Sequence, residues 1–210
     1  MEIDRPGPGE QLHTGRATVP RPAATVIVLR GGADQLEVLL VQRNPRSRFM
    51  GGAWVFPGGA VDRAEGAGQD ALRAAALREL AEEARIELAG PEQLVPFSRW
   101  ITPAQVKIRF DTWFFLAPFP AGATPRIDGA EVVDMRWYAP AAALEAARQG
   151  ELLLVFPTIK HLEQLSGFRS ADALIAHARG RKVRPVEPRV VLSGETARIV
   201  LPGEPGYADA

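Results

Sequence analysis

The chain has 210 residues, of which 46% are hydrophobic and 24% charged, so it can bury a full core without covalent cross-links. Lysine plus arginine and aspartate plus glutamate each number 25, which gives a formal net charge of zero. A neutral chain has no overall field that would draw it to nucleic acid or to an anionic membrane. The absence of cysteine excludes disulfides, thiolate metal sites and a cysteine nucleophile.

The first part of the chain carries no recognisable targeting signal. Residues 1–22 are rich in glycine, proline and charge, which is typical of a flexible lead-in, and they lack the basic start and apolar run of a signal peptide. No apolar stretch is long enough to span a bilayer. These features predict a cytoplasmic protein without a membrane or nucleic-acid partner.

Apolar periodicity and turn residues predict a mixed sheet flanked by helices, an α+β architecture. The predicted strands are residues 23–29, 37–42, 54–56, 108–116 and 131–138, with a final hairpin of residues 189–192 and 198–201 around Gly194. The predicted helices are residues 70–84, 140–148, 157–167 and 171–179. The first two strands are expected to pair as a hairpin. Asp70 is expected to cap the first helix, and residues 57–59 to form a sharp turn.

Three glutamates share one face of the first predicted helix. Glu79, Glu82 and Glu83 are spaced at i, i+3 and i+4, so their like charges repel unless a cation compensates them. Carboxylate oxygens without histidine or cysteine suit Mg²⁺ or Mn²⁺. The alternative is a solvated acidic face. Further acids upstream, Asp62 and Glu65, favour the metal site because they follow a glycine turn that leads into the same helix.

The order of these residues resembles the Nudix box, whose pattern is Gly, five residues, Glu, seven residues, then Arg-Glu-apolar-x-Glu-Glu-x-Gly-apolar. The sequence matches this pattern in two blocks: the first contains Gly59 and Glu65, and the second is residues 78–86. The spacing departs from the pattern because 12 residues, not seven, separate Glu65 from Arg78. The insertion around residues 66–69 is expected to lengthen a loop before the helix, and it leaves the position of Glu65 open.

A second departure is Arg85, which stands where the family has a glycine that normally takes the left-handed cap conformation. An arginine is expected to end the helix in another way, or to let the helix continue one or two residues.

Longer stretches are similar to the coenzyme A diphosphatase branch related to the peroxisomal animal enzyme; they are residues 41–43, 49–50, 56–62, 99–103 and 109–115. The resemblance implies a Nudix α/β/α sandwich with a mixed central sheet over residues 23–150. It also implies a C-terminal helical extension with the final hairpin over residues 151–210, and a possible homodimer.

The implied activity is metal-dependent hydrolysis of the diphosphate linkage in a nucleoside diphosphate derivative, with coenzyme A or an acyl-coenzyme A first among substrates. ADP-ribose or a nucleotide sugar is the alternative, followed by an oxidised nucleoside triphosphate. A non-catalytic module that binds a nucleotide metabolite is the alternative of another class, and the retained box glutamates favour the enzyme.

The resemblance also assigns roles within the metal site. Glu82 and Glu83 would bind the essential Mg²⁺ or Mn²⁺, and Glu79 would bind a further metal or orient the water. The carbonyl of Gly59 would approach the metal. Glu131 would complete the site, unless it is only a charge at the rim. Arg78 would hold the box glutamates in place, and the general base stays open.

Further polar and aromatic residues are weaker candidates. Arg43, Arg46 and Arg48 could bind phosphate, with a solvated loop as the alternative. A second basic run, Arg179, Arg181, Lys182 and Arg184, could meet a 3′-phosphate. The four tryptophans are expected in the core or at its rim, with one of them available to stack on a purine; they are Trp54, Trp100, Trp113 and Trp137. The histidines, His13, His161 and His177, have neither metal-binding spacing nor a nucleophile as partner.

Overall fold

The computed structural model describes residues 11–12, 15–193 and 196–208, so His13, Gly194 and the first ten residues of the predicted lead-in lie outside the described part. The strands are β1 (Arg21–Arg30), β2 (Glu37–Arg43), β3 (Trp54–Val55), β4 (Gly58–Ala60), β5 (Val95–Ile101), β6 (Phe110–Pro118), β7 (Val132–Tyr138), β8 (Pro185–Val186), β9 (Arg189–Ser193) and β10 (Thr196–Val200). The α-helices are α1 (Gly68–Ala84), α2 (Pro140–Arg148), α3 (Phe156–Leu165) and α4 (Ala171–Arg179). Within the described residues, no helix has the length and apolar character needed to cross a membrane.

The main sheet is mixed, as predicted. Its strand order is β3-β2-β1-β6-β5-β8, with β4 also paired to β1 and β7 to β2. The pairs β1–β6 and β5–β8 are parallel, whereas the other pairs of this sheet are antiparallel. The strands β9 and β10 form a separate antiparallel hairpin, which confirms the predicted final hairpin.

Helices cover both faces of the sheet, because alternate residues of each strand point to opposite sides. Along β1, Val26 and Val28 pack with α1, whereas Ile27 and Leu29 pack with α2, α3 and α4. The result is the predicted α/β/α sandwich of the α+β class. Proline at the first turn of α2 and α3 suits these helix starts, since that position needs no intrahelical N–H donor.

Several local predictions are wrong in ways that matter for the site. Residues Gly58–Ala60 are not a sharp turn but the strand β4, because their backbone pairs with Ala23–Thr25 of β1. Helix α1 starts at Gly68 rather than after Asp70, so Asp70 lies in its first turn, where a negative charge interacts favourably with the helix dipole. The strand β5 was not predicted, since proline interrupts its apolar pattern at Pro96.

The buried histidine of the fold gives a first testable prediction. His161 is 1% exposed, packs against the Phe114 ring and is hydrogen-bonded to Ser98 and the Pro157 carbonyl. Burial lowers the pKa of His161 to about 4 from its ordinary value of 6.5. The unfolded chain therefore takes up a proton first as the pH falls, and the stability that neutral His161 contributes is lost between pH 6.5 and 4.

The expected loss is about 3 kcal/mol between pH 7 and pH 4. Urea unfolding of the wild type and of His161→Gln at a series of pH values measures it. The difference in unfolding free energy between the two proteins should shrink toward low pH, because titrations common to both cancel. A constant difference would contradict the assignment of a neutral, buried imidazole.

Candidate active site

The glycines of β4 bring the helix α1 carboxylates to the edge of the sheet. The Gly58 N–H donates to Glu83 Oε2 over 2.9 Å. A Cβ atom on Gly59 would overlap the Glu79 carboxylate and displace it, whereas a Cβ atom on Gly58 would clash with the backbone of Ala24 and Thr25. The local sequence Phe-Pro-Gly-Gly thus sets two helix glutamates beside an extended backbone without any intervening side chain.

Arg78 lies at the centre of the surrounding ion pairs. Its guanidinium donates to Glu65 at 2.9 Å, to Glu79 at 2.8 Å, to Glu82 at 3.1 Å and to the Ala60 carbonyl at 3.0 Å. The hydrogen bond with Glu65 is the main cause that raises the pKa of Arg78 further above its ordinary value. This arginine therefore joins α1, β4 and the segment before α1, and it does not line the large cavity described below.

Glu65 reaches the site in spite of the insertion. Part of the inserted sequence extends α1 by starting it at Gly68, and a short 3-10 turn at Arg63–Glu65 precedes it. Burial would raise the pKa of Glu65, but hydrogen bonds from Arg78 and from the Asp62 N–H lower it below its ordinary value. Glu65 is therefore a charged partner of Arg78.

Arg85 ends α1 in the way that the expected glycine would have done, so the prediction of a different ending is wrong. Its φ of 53° and ψ of 37° are left-handed. The Arg85 N–H donates to Ala81 O, which is the hydrogen bond of the αL capping motif, and the Ile86 N–H donates to Leu80 O. Ile86 and Leu80 belong to the same apolar cluster, and this packing offsets the strain of a left-handed arginine.

Two of the three glutamates of α1 face a large cavity of about 830 Å³, and the third does not. Glu79 and Glu83 line it, together with Gly59, Arg43 and Glu131. The Glu83 side chain is 4% exposed, whereas Glu82 is 58% exposed and is not among the lining residues. Helical spacing puts all three glutamates on one face of α1, but only Glu79 and Glu83 line the cavity.

The surroundings of Glu79 and Glu83 disfavour the charged form of both carboxylates. Burial raises the pKa of Glu83 to about 7, and proximity to Glu79 and Glu131 adds to the shift, while Arg43 opposes it. Burial also raises the pKa of Glu79, against the hydrogen bond from Arg78. Two buried carboxylates that repel each other next to a cavity are a position where a cation would be stabilised.

A complete set of protein ligands does not converge here. Among the described residues, no group of three or more histidine, aspartate or glutamate side chains has an arrangement that could hold a metal ion. Glu131 faces the same cavity from the start of β7, where Asp128 Oδ2 accepts its backbone N–H at 2.9 Å. Mg²⁺ is commonly held by only one or two carboxylates together with substrate phosphates and water, and Glu79 with Glu83 fits that donor set.

The predicted arginines separate into three groups. Arg43 lines the large cavity, and its Nη1 lies 3.9 Å from Glu83 Oε1. Arg46 and Arg48 line a shallower neighbouring cavity of about 400 Å³, which Arg43 and Glu131 border as well. The second basic run contributes no residue to the lining of either cavity; its members are Arg179, Arg181, Lys182 and Arg184.

The aromatic residues of the cavity were only partly predicted. Of the four tryptophans, only Trp100 lines it. Phe49, Phe110 and Phe156 also line it, and the sequence interpretation did not single them out. Phe110 begins β6, in register with Arg21 of β1. The alternation of Phe110, Thr112 and Phe114 along this strand was the available signal, since all three side chains face the cavity.

Residues 19–156 match the protein family described as NUDIX domain, and this match decides the family of the chain. The chain belongs to the Nudix family. It is a Nudix hydrolase that acts on nucleoside diphosphate derivatives, and such enzymes generally use divalent metal ions.

Two curated relatives and one solved structure illustrate the range of similarity. Nudix hydrolase 7 of Caenorhabditis elegans is 25% identical over 93% of this chain and 77% of its own length. Acyl-coenzyme A diphosphatase NUDT19 of Homo sapiens is 30% identical over 54% of this chain, a match that covers 32% of that protein. A Nudix hydrolase structure from Alicyclobacillus acidocaldarius has a TM-score of 0.68 and 30% identity, covering 76% of this chain and 96% of that one.

A more distant structure shares the fold alone. The Nudix domain of Shewanella oneidensis NrtR, solved in complex with ADP ribose, has a TM-score of 0.54 and 22% identity over 70% of this chain and 86% of that one.

Proposed function

We propose that this Nudix hydrolase cleaves the diphosphate linkage of coenzyme A or an acyl-coenzyme A with Mg²⁺ or Mn²⁺. One observation carries the proposal: a single cavity joins the carboxylates of Glu79 and Glu83 and an arginine to a mainly apolar lining. Coenzyme A has the matching composition, because a charged nucleoside diphosphate continues into a pantetheine arm. The similarity to human acyl-coenzyme A diphosphatase supports the same substrate class.

The residues of the cavity take separate roles in this proposal. Glu79 and Glu83 would hold the cation, with the Gly59 backbone close beside them and Glu131 as a further acid facing the same space. When bound, a divalent cation supplies positive charge that offsets the diphosphate oxygens and the charge on the leaving phosphate. Arg43, whose Nη1 lies 3.9 Å from Glu83 Oε1, would contact the same diphosphate.

The remaining box residues position these groups. Arg78 would keep Glu79 in its rotamer through the 2.8 Å hydrogen bond, and Glu65 would keep Arg78 in place. Water adds across the P–O–P linkage, so one phosphoryl group gains a hydroxyl group and the other leaves with the proton. The products from coenzyme A would be 3′,5′-ADP and 4′-phosphopantetheine.

A hydrolysis panel tests the proposal directly. The purified protein with Mg²⁺ is offered coenzyme A, octanoyl-coenzyme A, ADP-ribose, a nucleotide sugar and an oxidised nucleoside triphosphate, and the products are identified by mass. We expect the highest kcat/KM for a coenzyme A compound. ADP-ribose is included because the NrtR Nudix domain was solved with it, and a clear preference for it would overturn the substrate assignment.

The 3′-phosphate of coenzyme A gives a sharper prediction. Arg46 and Arg48 beside the shallow cavity are the proposed partners of this phosphate, because charge-assisted hydrogen bonds from arginine contribute about 1.5–3 kcal/mol. Dephospho-coenzyme A, which lacks that phosphate, should therefore react at least about tenfold less efficiently.

Matched variants assign the effect to these residues. Arg46→Ala combined with Arg48→Ala should reduce the ratio of kcat/KM between coenzyme A and dephospho-coenzyme A toward one. Arg181→Ala, in the basic run outside both cavities, should leave the ratio unchanged. A loss of discrimination only in Arg181→Ala would move the phosphate site to that run.

A further inference from the structure

The hairpin β9–β10 supplies a wall of the large cavity from outside the Nudix match. Pro188, Val190 and Ile199 line the cavity, whereas the family match ends at residue 156. Val190 and Ile199 are direct partners in the antiparallel register. Residues directly opposite each other in such a pair place their side chains on the same face. The two therefore form one apolar patch that faces into the cavity, and the neighbouring pair of Val191 with Arg198 belongs to the other face.

The surfaces around this patch are apolar as well. The chain segments that contribute them are the end of β5, the β5–β6 connection, the beginning of β6 and, farther along the chain, the beginning of α3. Their lining residues include Trp100, Val106, Phe110, Val155 and Phe156. The carboxylates of Glu79 and Glu83 line the same cavity, so a ligand held there by a charged group has apolar surface available for the rest of its length.

The hairpin is held in this position by specific contacts. The buried Arg109, 8% exposed, pairs with Glu187 at 2.6 Å immediately before the hairpin. The hydroxyl of Tyr207, which lies beyond the end of β10, donates to the Glu187 carbonyl at 2.8 Å, and Arg189 donates to the Tyr207 carbonyl at 2.9 Å. The strand β8 joins β5 of the main sheet, so the wall is part of the folded body.

We propose that the Val190–Ile199 pair is a specificity element that binds an apolar group of the substrate, such as the acyl chain of a thioester. The inference rests on the proposed function, because it requires that the diphosphate end of the substrate is held at Glu79 and Glu83. Each methylene group buried on this patch should raise kcat/KM by up to about fourfold, which corresponds to about 0.8 kcal/mol. The hairpin contributes to binding and takes no part in breaking the phosphorus–oxygen bond.

The test compares coenzyme A with acetyl-, butanoyl- and octanoyl-coenzyme A in the wild type and in hairpin variants. The wild type should prefer octanoyl-coenzyme A to coenzyme A by at least about tenfold. Ile199→Asp should bring that ratio to about one, because a buried carboxylate on the patch removes the advantage of the longer acyl chain.

Two variants that conserve the side-chain shape serve as a control for misfolding. Val190→Thr nearly keeps the side-chain volume but replaces a methyl group of the apolar patch by a hydroxyl group, and it should lower the ratio about threefold or more. Val191→Thr makes the same change on the other face of the same strand and should leave the ratio unchanged. Equal ratios in the wild type, Val190→Thr and Val191→Thr would overturn the proposal.

A binding measurement separates this inference from the proposed function. Octanoyl-pantetheine carries the acyl chain without the diphosphate, and calorimetry should detect its binding to the wild type but not to Ile199→Asp. If no coenzyme A compound is cleaved but this binding difference is found, the apolar subsite stands and the proposed function falls. If coenzyme A is cleaved without dependence on chain length and octanoyl-pantetheine does not bind, the subsite falls and the proposed function stands.

Discussion

Replacing Glu83 by glutamine is expected to lower kcat by at least about 100-fold with the fold intact. The glutamine oxygen can still accept the hydrogen bond from the Gly58 N–H, so the junction of α1 and β4 is preserved. What is lost is the negative charge that would hold the cation at the cavity. Steady-state kinetics with Mg²⁺, together with circular dichroism of the purified variant, measure both parts of the prediction.

The same variant, although less active, should be more stable than the wild type at high pH. Burial raises the pKa of Glu83 to about 7, above its ordinary value of 4.5, so the folded protein is destabilised by the charged form as the pH rises through 7. Glutamine removes this cost. In metal-free buffer at pH 8, Glu83→Gln should therefore have a higher Tm than the wild type, and the advantage should disappear near pH 4.5.

Two further variants test whether the loss of activity is specific to a carboxylate that lines the cavity. Glu82→Gln should cost less activity than Glu83→Gln, because Glu82 is exposed and bonded to Arg78 outside the cavity lining. Glu145→Gln removes an exposed carboxylate of α2 that is paired with Arg148, and it should behave as the wild type. Near-normal turnover in a folded Glu83→Gln protein would show that Glu83 does not hold a catalytic cation.

Removal of divalent cations with EDTA should lower turnover by at least about 1000-fold, since a catalytic cation contributes several kcal/mol to phosphoryl-type reactions. Adding Mg²⁺ or Mn²⁺ in excess should restore it. The physical reason lies in Glu79 and Glu83, two carboxylates of the cavity whose mutual repulsion Arg43 offsets only in part. Undiminished turnover in metal-free buffer would exclude the proposed metal site.

A thermal shift provides a readout that does not depend on the substrate. Mg²⁺ that binds the folded protein should raise the Tm of the wild type in proportion to the logarithm of its concentration once the site is saturated. The rise should be much smaller in Glu83→Gln and should persist in Glu145→Gln. An equal rise in all three proteins would place the bound cation elsewhere.

The sequence by itself determined the local features of this protein. Helix spacing put Glu79, Glu82 and Glu83 on one face of α1, and the β1–β2 hairpin follows from two apolar runs around a Gly-Gly turn. The bounds of α2 and α4 were also predicted, because a helix depends mainly on neighbours within four residues along the chain.

Tertiary structure decided which of these residues share a site. The exposure of Glu82 and the burial of Glu83 depend on where α1 packs against β4, and helical periodicity carries no information about that contact. Arg85 takes a left-handed conformation that an isolated arginine disfavours, because the packing of Ile86 on Leu80 outweighs the local preference. The cavity wall brings Val106 and Phe110 together with Val190 and Ile199, and such long-range contacts arise only when the whole chain has folded.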